Sequence, residues 1–205
     1  ARPEMNDSGV QDVDIVLTTR EFGAMIKQAG VDFRSLPDEE MDAPLGISTG
    51  AADIFANTGG VMEAALRTAW AVVTESEPFP FPNLHVSPVE GLEGVKTATV
   101  KVTGAKGDWA FLEGADLKVA VAHGLGNAQK VIDQIRSGDA EYHFVEVMTC
   151  PGGCIGGGGQ PRFTDDAKRR ERMRAIFQED EAKQLRKSHD NPKIKQLYGQ
   201  FLKYP

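Results

Sequence analysis

Short strand-like apolar runs alternate with amphipathic helical runs along this chain. That alternation restricts it to an α/β architecture, a mainly parallel sheet flanked by helices with sites at the carboxyl ends of the strands. Residues 13–17 (Val-Asp-Ile-Val-Leu) read as a strand. Thr18 and Glu21 then stand at capping-box spacing before a helix that runs to about residue 29, whose Phe22, Met25, Ile26 and Ala29 form one buried face. Residues 33–48 are acidic and loop-like, with Pro37 and Pro44 blocking regular structure. The small-residue segment 48–60 feeds a strong helix over residues 61–74, ended by Pro78, Pro80 and Pro82. Residues 95–102 and 108–112 predict a β-hairpin turned at Gly104 and Gly107. A strand over 117–122 passes through His123 and Gly124 into a helix around 127–136, and a last strand over 142–147 runs straight into a cysteine loop. From Thr164 the pattern is helical, broken near Asp190, Asn191 and Pro192, so the chain divides into an α/β lobe over 1–163 and a C-terminal helical segment over 164–205 that packs on it.

With 205 residues, 40% hydrophobic and 26% charged, the chain can bury a real core. The net charge of -7 argues against a nucleic-acid partner, since phosphate contacts need clustered Lys and Arg. One basic run, over 168–174, reads as the solvated face of a helix because Glu171, Glu179, Asp180 and Glu181 follow closely. No apolar run approaches the roughly 20 residues that span a bilayer, and no signal segment opens the chain. Two cysteines exclude a disulfide-stapled scaffold and make a reducing compartment the default. A start at Ala1 and a stop at Tyr204-Pro205 make both ends read as cut from something longer.

Those two cysteines sit in the most informative string of the chain, Glu146-Val147-Met148-Thr149-Cys150-Pro151-Gly152-Gly153-Cys154-Ile155-Gly156-Gly157-Gly158-Gly159-Gln160-Pro161. Two soft thiolates at this spacing can ligate one metal centre. Glycines around them remove side chains and leave backbone amides facing whatever the thiolates hold. Amides so placed donate to cluster sulfurs and tune a reduction potential. Spacing alone leaves a pair of inert core thiols or a redox pair equally open.

The order Glu-x-Met-x-Cys-x-x-x-Cys, followed by Gly-Gly-Gly-x-Pro, resembles the third signature motif of the iron-only hydrogenases. A second resemblance to that family lies in Ile54-Phe55-Ala56-Asn57-Thr58-Gly59-Gly60-Val61-Met62-Glu63-Ala64-Ala65-Leu66-Arg67. The helix start at Leu17-Thr18-Thr19-Arg20-Glu21 and the Tyr142-His143-Phe144 lead-in also resemble it, so nearly the whole chain is covered. The resemblance implies one lobe, with the C-terminal helices, of a two-lobed catalytic domain. It also implies an H-cluster, a 4Fe-4S cubane on cysteines bridged to a diiron centre with carbonyl, cyanide and dithiolate ligands, at which dihydrogen is interconverted with protons and electrons. By motif position Cys150 matches a cubane-only ligand and Cys154 the bridging one. Met148 and Phe55 match residues packing on the diiron unit, and Gly153, Gly157 and Gly158 match the backbone lining the cofactor. Cys154, Met148 and Phe55 are thus the candidate catalytic residues.

Two departures stand out. Ala56-Asn57 replaces a more usual Gly-Ala, which crowds the site or places a polar amide near it. The family's two upstream motifs, with its other two cluster cysteines, are absent, while Ala1-Arg2-Pro3-Glu4 resembles the residues that follow the second of them. A cubane takes four thiolates and this chain offers two. The expectation is therefore an incomplete fragment, inactive alone, whose partner is the missing N-terminal half of the catalytic domain on the same or a separate chain. Ferredoxin or NAD(P)-linked subunits are the expected electron partners, and the cytoplasm, rather than the periplasm, is the expected compartment. The alternatives are a non-catalytic relative that binds or assembles iron-sulfur clusters, or a hydrogen sensor on the same fold. Glu63 and Arg67, four apart on one helix, read as an ordinary ion pair, and His123 as a histidine bonded to backbone.

Overall fold

A computed structural model describes residues 9–40, 42–75 and 79–203. The Ala1-Arg2-Pro3-Glu4 likeness, Pro78 and the terminal Tyr204-Pro205 lie outside them. The chain forms two compact units, one of residues 1–40 with 158–164, the other of 41–157 with 165–205.

In the first unit the capping box forms as expected. Thr18 Oγ1 accepts from Glu21 N–H at 3.3 Å and Thr18 N–H donates to Glu21 Oε2 at 2.8 Å, which starts helix α1 (Thr19–Gln28). That donation holds the Glu21 carboxyl below its usual range. Arg20 Nη1 donates to the carbonyls of Gly158 (2.5 Å) and Gln160 (2.6 Å), joining the returning segment to α1. Two expectations fail in this unit. Residues 13–17 bend at Asp14 and join no ladder, with Ile15 76% and Val16 83% exposed, and α1 buries no residue despite its apolar stripe. Both have one cause: so small a unit has too little apolar surface of its own to cover them.

The second unit carries a three-stranded sheet in the order β1 (Val95–Lys101), β2 (Asp116–His123), β3 (Phe144–Met148). β1 and β2 are antiparallel and β2 and β3 parallel, so the sheet is mixed and partly parallel. The predicted hairpin partner is corrected. Residues Gly107–Leu112 form a 3-10 turn, and β1 pairs instead with β2, from Val95 opposite Ala122 to Lys101 opposite Asp116. The bonds Val102 N–H to Ala115 O and Gly114 N–H to Val102 O close that longer connection.

Successive β2 side chains alternate between two buried faces. Val119 and Val121 pack with Met62 and Leu66 of the helix α3 (Gly60–Thr74), while Ala120 and Ala122 pack with Ala128 and Val131 of the helix α4 (Leu125–Ser137). A short helix α2 (Gly50–Asp53), the 3-10 turn Ile54–Ala56 and α3 bury Ala51, Ile54 and Ala64 against Ile176 and Phe177 of α5 (Asp166–Ala182). The helical pattern then breaks, and α6 (Pro192–Gln196) follows. Glu63 and Arg67 are not a surface pair. Both are fully buried, and Arg67 also donates to both carboxylate oxygens of Asp180 at 2.8 and 2.9 Å. The α3 face that carries them turns toward α5, which i,i+4 spacing alone could not reveal.

Parallel pairing of β2 with β3 sets His123 opposite Met148, and Gly124 N–H donates to Met148 O at 2.8 Å. Two strands therefore deliver their carboxyl ends to one place, and the cysteine loop starts there.

Candidate metal-cluster site

β3 runs into a loop that closes on its own backbone. Gly153 N–H donates to Cys150 O, Gly156 N–H to Gly153 O and Gly157 N–H to Cys154 O, each at 3.0 Å. Gly152 (φ 81°) and Gly153 (φ 90°) take left-handed conformations that other L-residues rarely adopt. Both thiols are free, Cys150 half-buried and Cys154 exposed, so two sulfurs stand within one short turn and remain available to a metal.

A second segment meets this loop. Thr58 N–H donates to Gly152 O at 3.0 Å. A Cβ on Gly153 would lie 2.8 Å from Ala56 O, Met148 Sδ and Thr58 N alike. The fold thus brings Met148, Gly153 and the Ala56 and Thr58 backbone together, while Phe55, one residue before Ala56, is half exposed. A Cβ on Gly157 would meet Cys154 O at 3.1 Å and Cys150 Sγ at 3.9 Å, so its absence leaves space at the thiols. Gly158 belongs to the other unit, where Arg20 holds its carbonyl. Asn57 is fully buried, and its amide donates toward Met173 O of α5 at 3.5 Å, so the family departure there faces α5. The donor set and the side-chain-free turn fit part of an anionic metal-sulfur cluster.

Lys96 and Arg172 escaped the sequence reading, whereas Glu146 stood out there as a strand-end residue whose carboxylate either orients the cysteine loop or is simply solvated. Buried Glu146 accepts from Gly59 N–H (2.6 Å) and Met62 N–H (2.7 Å), capping α3 where its unpaired amides carry partial positive charge. Lys96 Nζ donates to Thr58 O (3.2 Å) and Gly91 O (2.9 Å), and burial pushes its pKa down to about 8 against the opposing pull of Glu146, Glu93 and Glu90. His123 is bonded to backbone, as expected, but that backbone includes Gly152 of the cysteine loop. The basic run is not wholly solvated. Arg172 Nη1 donates to Ile155 O at 2.7 Å, and the Arg169 side chain lies against the Cβ positions of Gly152 and Gly156. A lone Glu or His at a strand end carries no mark of these contacts; only the helix period of 169 and 172, three apart, hints at a shared face.

Among the described residues, one further group, Glu63, His85 and Glu90, brings three ligand atoms within 4.8 Å of one another. Arg67 already neutralises Glu63, and Arg186 Nη2 stands 3.3 Å from His85 Nε2, so the cluster reads as an ion network. Its hydrogen bond to Glu63 raises the pKa of His85 despite burial.

The family profile described as the iron only hydrogenase large subunit, C-terminal domain, matches residues 1–158. The chain belongs to the iron-only hydrogenase family. Residues 166–205 match the profile of the iron hydrogenase small subunit. Subunit HndD of the NADP-reducing hydrogenase of Solidesulfovibrio fructosivorans is 48% identical over 100% of this chain and 33% of its own length. The periplasmic [Fe] hydrogenase large subunit of Nitratidesulfovibrio vulgaris is 49% identical over 78% of this chain and 35% of its own. The solved [FeFe]-hydrogenase HydA1 of Chlamydomonas reinhardtii superposes with a TM-score of 0.76 at 41% identity, over 97% of this chain and 54% of that one. The chain therefore spans about a third of the length of these curated relatives. The α/β fold expected from the sequence is the fold of this family. Among the described residues no helix is long and apolar enough to cross a membrane.

Proposed function

We propose that this chain forms the part of a hydrogenase catalytic domain that supplies Cys150 and Cys154 to a 4Fe-4S cubane bridged to a diiron centre, with Cys154 as the bridging ligand. The observation that carries the reading is the approach of Gly153 to Met148 Sδ and to the Ala56 and Thr58 backbone, which gathers two family motifs around free thiols. When bound, the cluster supplies the redox chemistry that interconverts dihydrogen with protons and electrons. The chain's own residues bind and shield. The two thiolates ligate iron. Met148 and Phe55 exclude water with apolar surface, and Gly153 and Gly157 keep side chains out of the cluster's volume.

Two thiolates are half of a cubane's set, so the remaining cysteines come from the rest of the catalytic domain, and the isolated chain does not turn over dihydrogen. The uncovered apolar face of α1, with Phe22 and Met25 half exposed, supports a covering segment of that kind. The match to an NADP-reducing hydrogenase subunit across the whole chain supports electron exchange with NAD(P)-linked subunits, with ferredoxin as the other candidate partner and the cytoplasm as the proposed compartment. The C-terminal segment 164–205 packs on the α/β lobe and steadies the cysteine loop through Arg172.

Infrared spectroscopy tests the reading on the chain joined to the remainder of its catalytic domain and matured. Bands of iron-bound carbonyl and cyanide are expected, and C154S is expected to lose them. Iron-sulfur cluster uptake without such bands would instead favour the cluster-assembly alternative. Hydrogen evolution by the isolated chain would overturn its inactivity.

A further inference from the structure

We infer that His123 is a positioning residue for the cysteine loop, fixing through Gly152 the peptide that lies midway between Cys150 and Cys154. The inference rests on the reading of those cysteines as cluster ligands. His123 ends β2, is only 8% exposed, and makes two ring contacts, both to backbone. Nε2 lies 3.1 Å from Leu92 O, a carbonyl that can only accept, so Nε2 carries the ring proton. Nδ1 lies 3.2 Å from Gly152 N, an amide that can only donate, so Nδ1 is bare. The two contacts together select one neutral tautomer and one ring orientation.

Gly152 is held from its other side as well, since its carbonyl accepts from Thr58 N–H at 3.0 Å. At φ 81° it has no side chain to define its place, so these two bonds and the Gly153 turn decide where its peptide planes point. An amide committed to His123 is withheld from cluster sulfurs. Its release would add a donor near the thiolates and raise the cluster's reduction potential.

Two variants separate the two ring nitrogens. Asn places its Oδ1 where Nδ1 stands, so H123N keeps an acceptor for Gly152. Gln reaches with its amide to the Nε2 position, so H123Q keeps the donor to Leu92 and loses the acceptor. His123 lines a cavity of about 360 Å³ with Asn127 and Arg169, which gives both replacements room.

In the cluster-free protein, amide exchange at Gly152 is expected to quicken roughly tenfold in H123Q, the loss of about one net hydrogen bond. It should stay near wild type in H123N, with Val121 and Val145 of the sheet unchanged in both. In the full domain with its cluster, the cubane's midpoint potential should move upward in H123Q and hold in H123N. Equal Gly152 exchange in H123Q and wild type, or equal potential shifts in both variants, overturns the inference. Ring-nitrogen NMR of the unsubstituted protein needs no variant to fold: a proton on Nδ1 overturns it and one on Nε2 supports it. A wild-type domain that takes up no cluster sinks the hydrogenase reading, while exchange at Gly152 still decides whether His123 holds the loop.

Discussion

Glu146 Oε2 accepts the Met62 amide proton at 2.7 Å, so the strand that ends in the cysteine loop is tied to the first turn of α3. The other oxygen takes Gly59 N–H at 2.6 Å, and one carboxylate thereby fixes the distance between the two motif-bearing segments. Gly59 admits this only because it is glycine: at φ 93° a Cβ there would strike Val89 O at 2.1 Å.

Replacing Glu146 with Ala leaves two buried amides without a partner. The expected loss is about 3 kcal/mol of unfolding free energy, with E146Q losing about half because its amide oxygen still accepts one bond. Urea denaturation of the three proteins measures it; an E146A midpoint equal to wild type would refute the capping role.

Arg67 is expected to be the least replaceable charge. R67M leaves Glu63 and Asp180 buried without their shared cation, at a cost of about 3–5 kcal/mol. Burial disfavours the Asp180 carboxylate, yet the bonds from Arg67 and Arg186 hold its pKa below the usual range. The pair R67M/D180L should recover part of the loss, and a double-mutant cycle by thermal or urea unfolding reads the coupling.

Lys96 predicts a pH dependence. Its folded pKa, about 8, lies below the unfolded value near 10.5, so the unfolded chain binds more protons between those limits and stability rises as pH goes from 8 toward 10.5. The span corresponds to an upper bound on the order of 3 kcal/mol. K96M should flatten that slope, seen by urea titrations at stepped pH; a K96M slope identical to wild type would show that the ammonium is not buried as drawn.

Gly153 should tolerate no side chain. G104A is the control, because Gly104 shares a positive φ (78°) but has open space around it, so it reports backbone strain alone, about 1 kcal/mol. G153A adds the collision with Ala56 O, Met148 Sδ and Thr58 N. It is expected to cost clearly more than G104A and to lower the iron retained by the assembled domain, measured by metal analysis.

Local chemistry made much of this protein legible in its sequence. The Thr18/Glu21 box, the α3 and α4 periodicities, the strand entering the cysteine loop and the glycine run all depend on neighbours in the chain, so their residues announce them. The family motifs around Cys150 and Phe55 identified the family for the same reason. Long-range placement was another matter. The turn signal at Gly104 and Gly107 is local and points β1 to residues 108–112, whereas ladder pairing is settled by which strand buries both faces, and β2 does. The apolar residues 13–17 and the α1 stripe look like core elements, yet burial depends on what surrounds them, and their unit offers no cover. Glu63 with Arg67, and Arg169 with Arg172, carry the sequence marks of solvated helix faces. Only the packing of α5 showed that the first pair is buried with Asp180 and that the second holds the cysteine loop. The sequence by itself determined which thiols and glycines stand together. The tertiary structure decided what holds them, because Glu146, Lys96, His123 and Arg172 act through backbone groups distant in the chain, and a hydrogen bond to a distant peptide leaves no pattern in the order of residues.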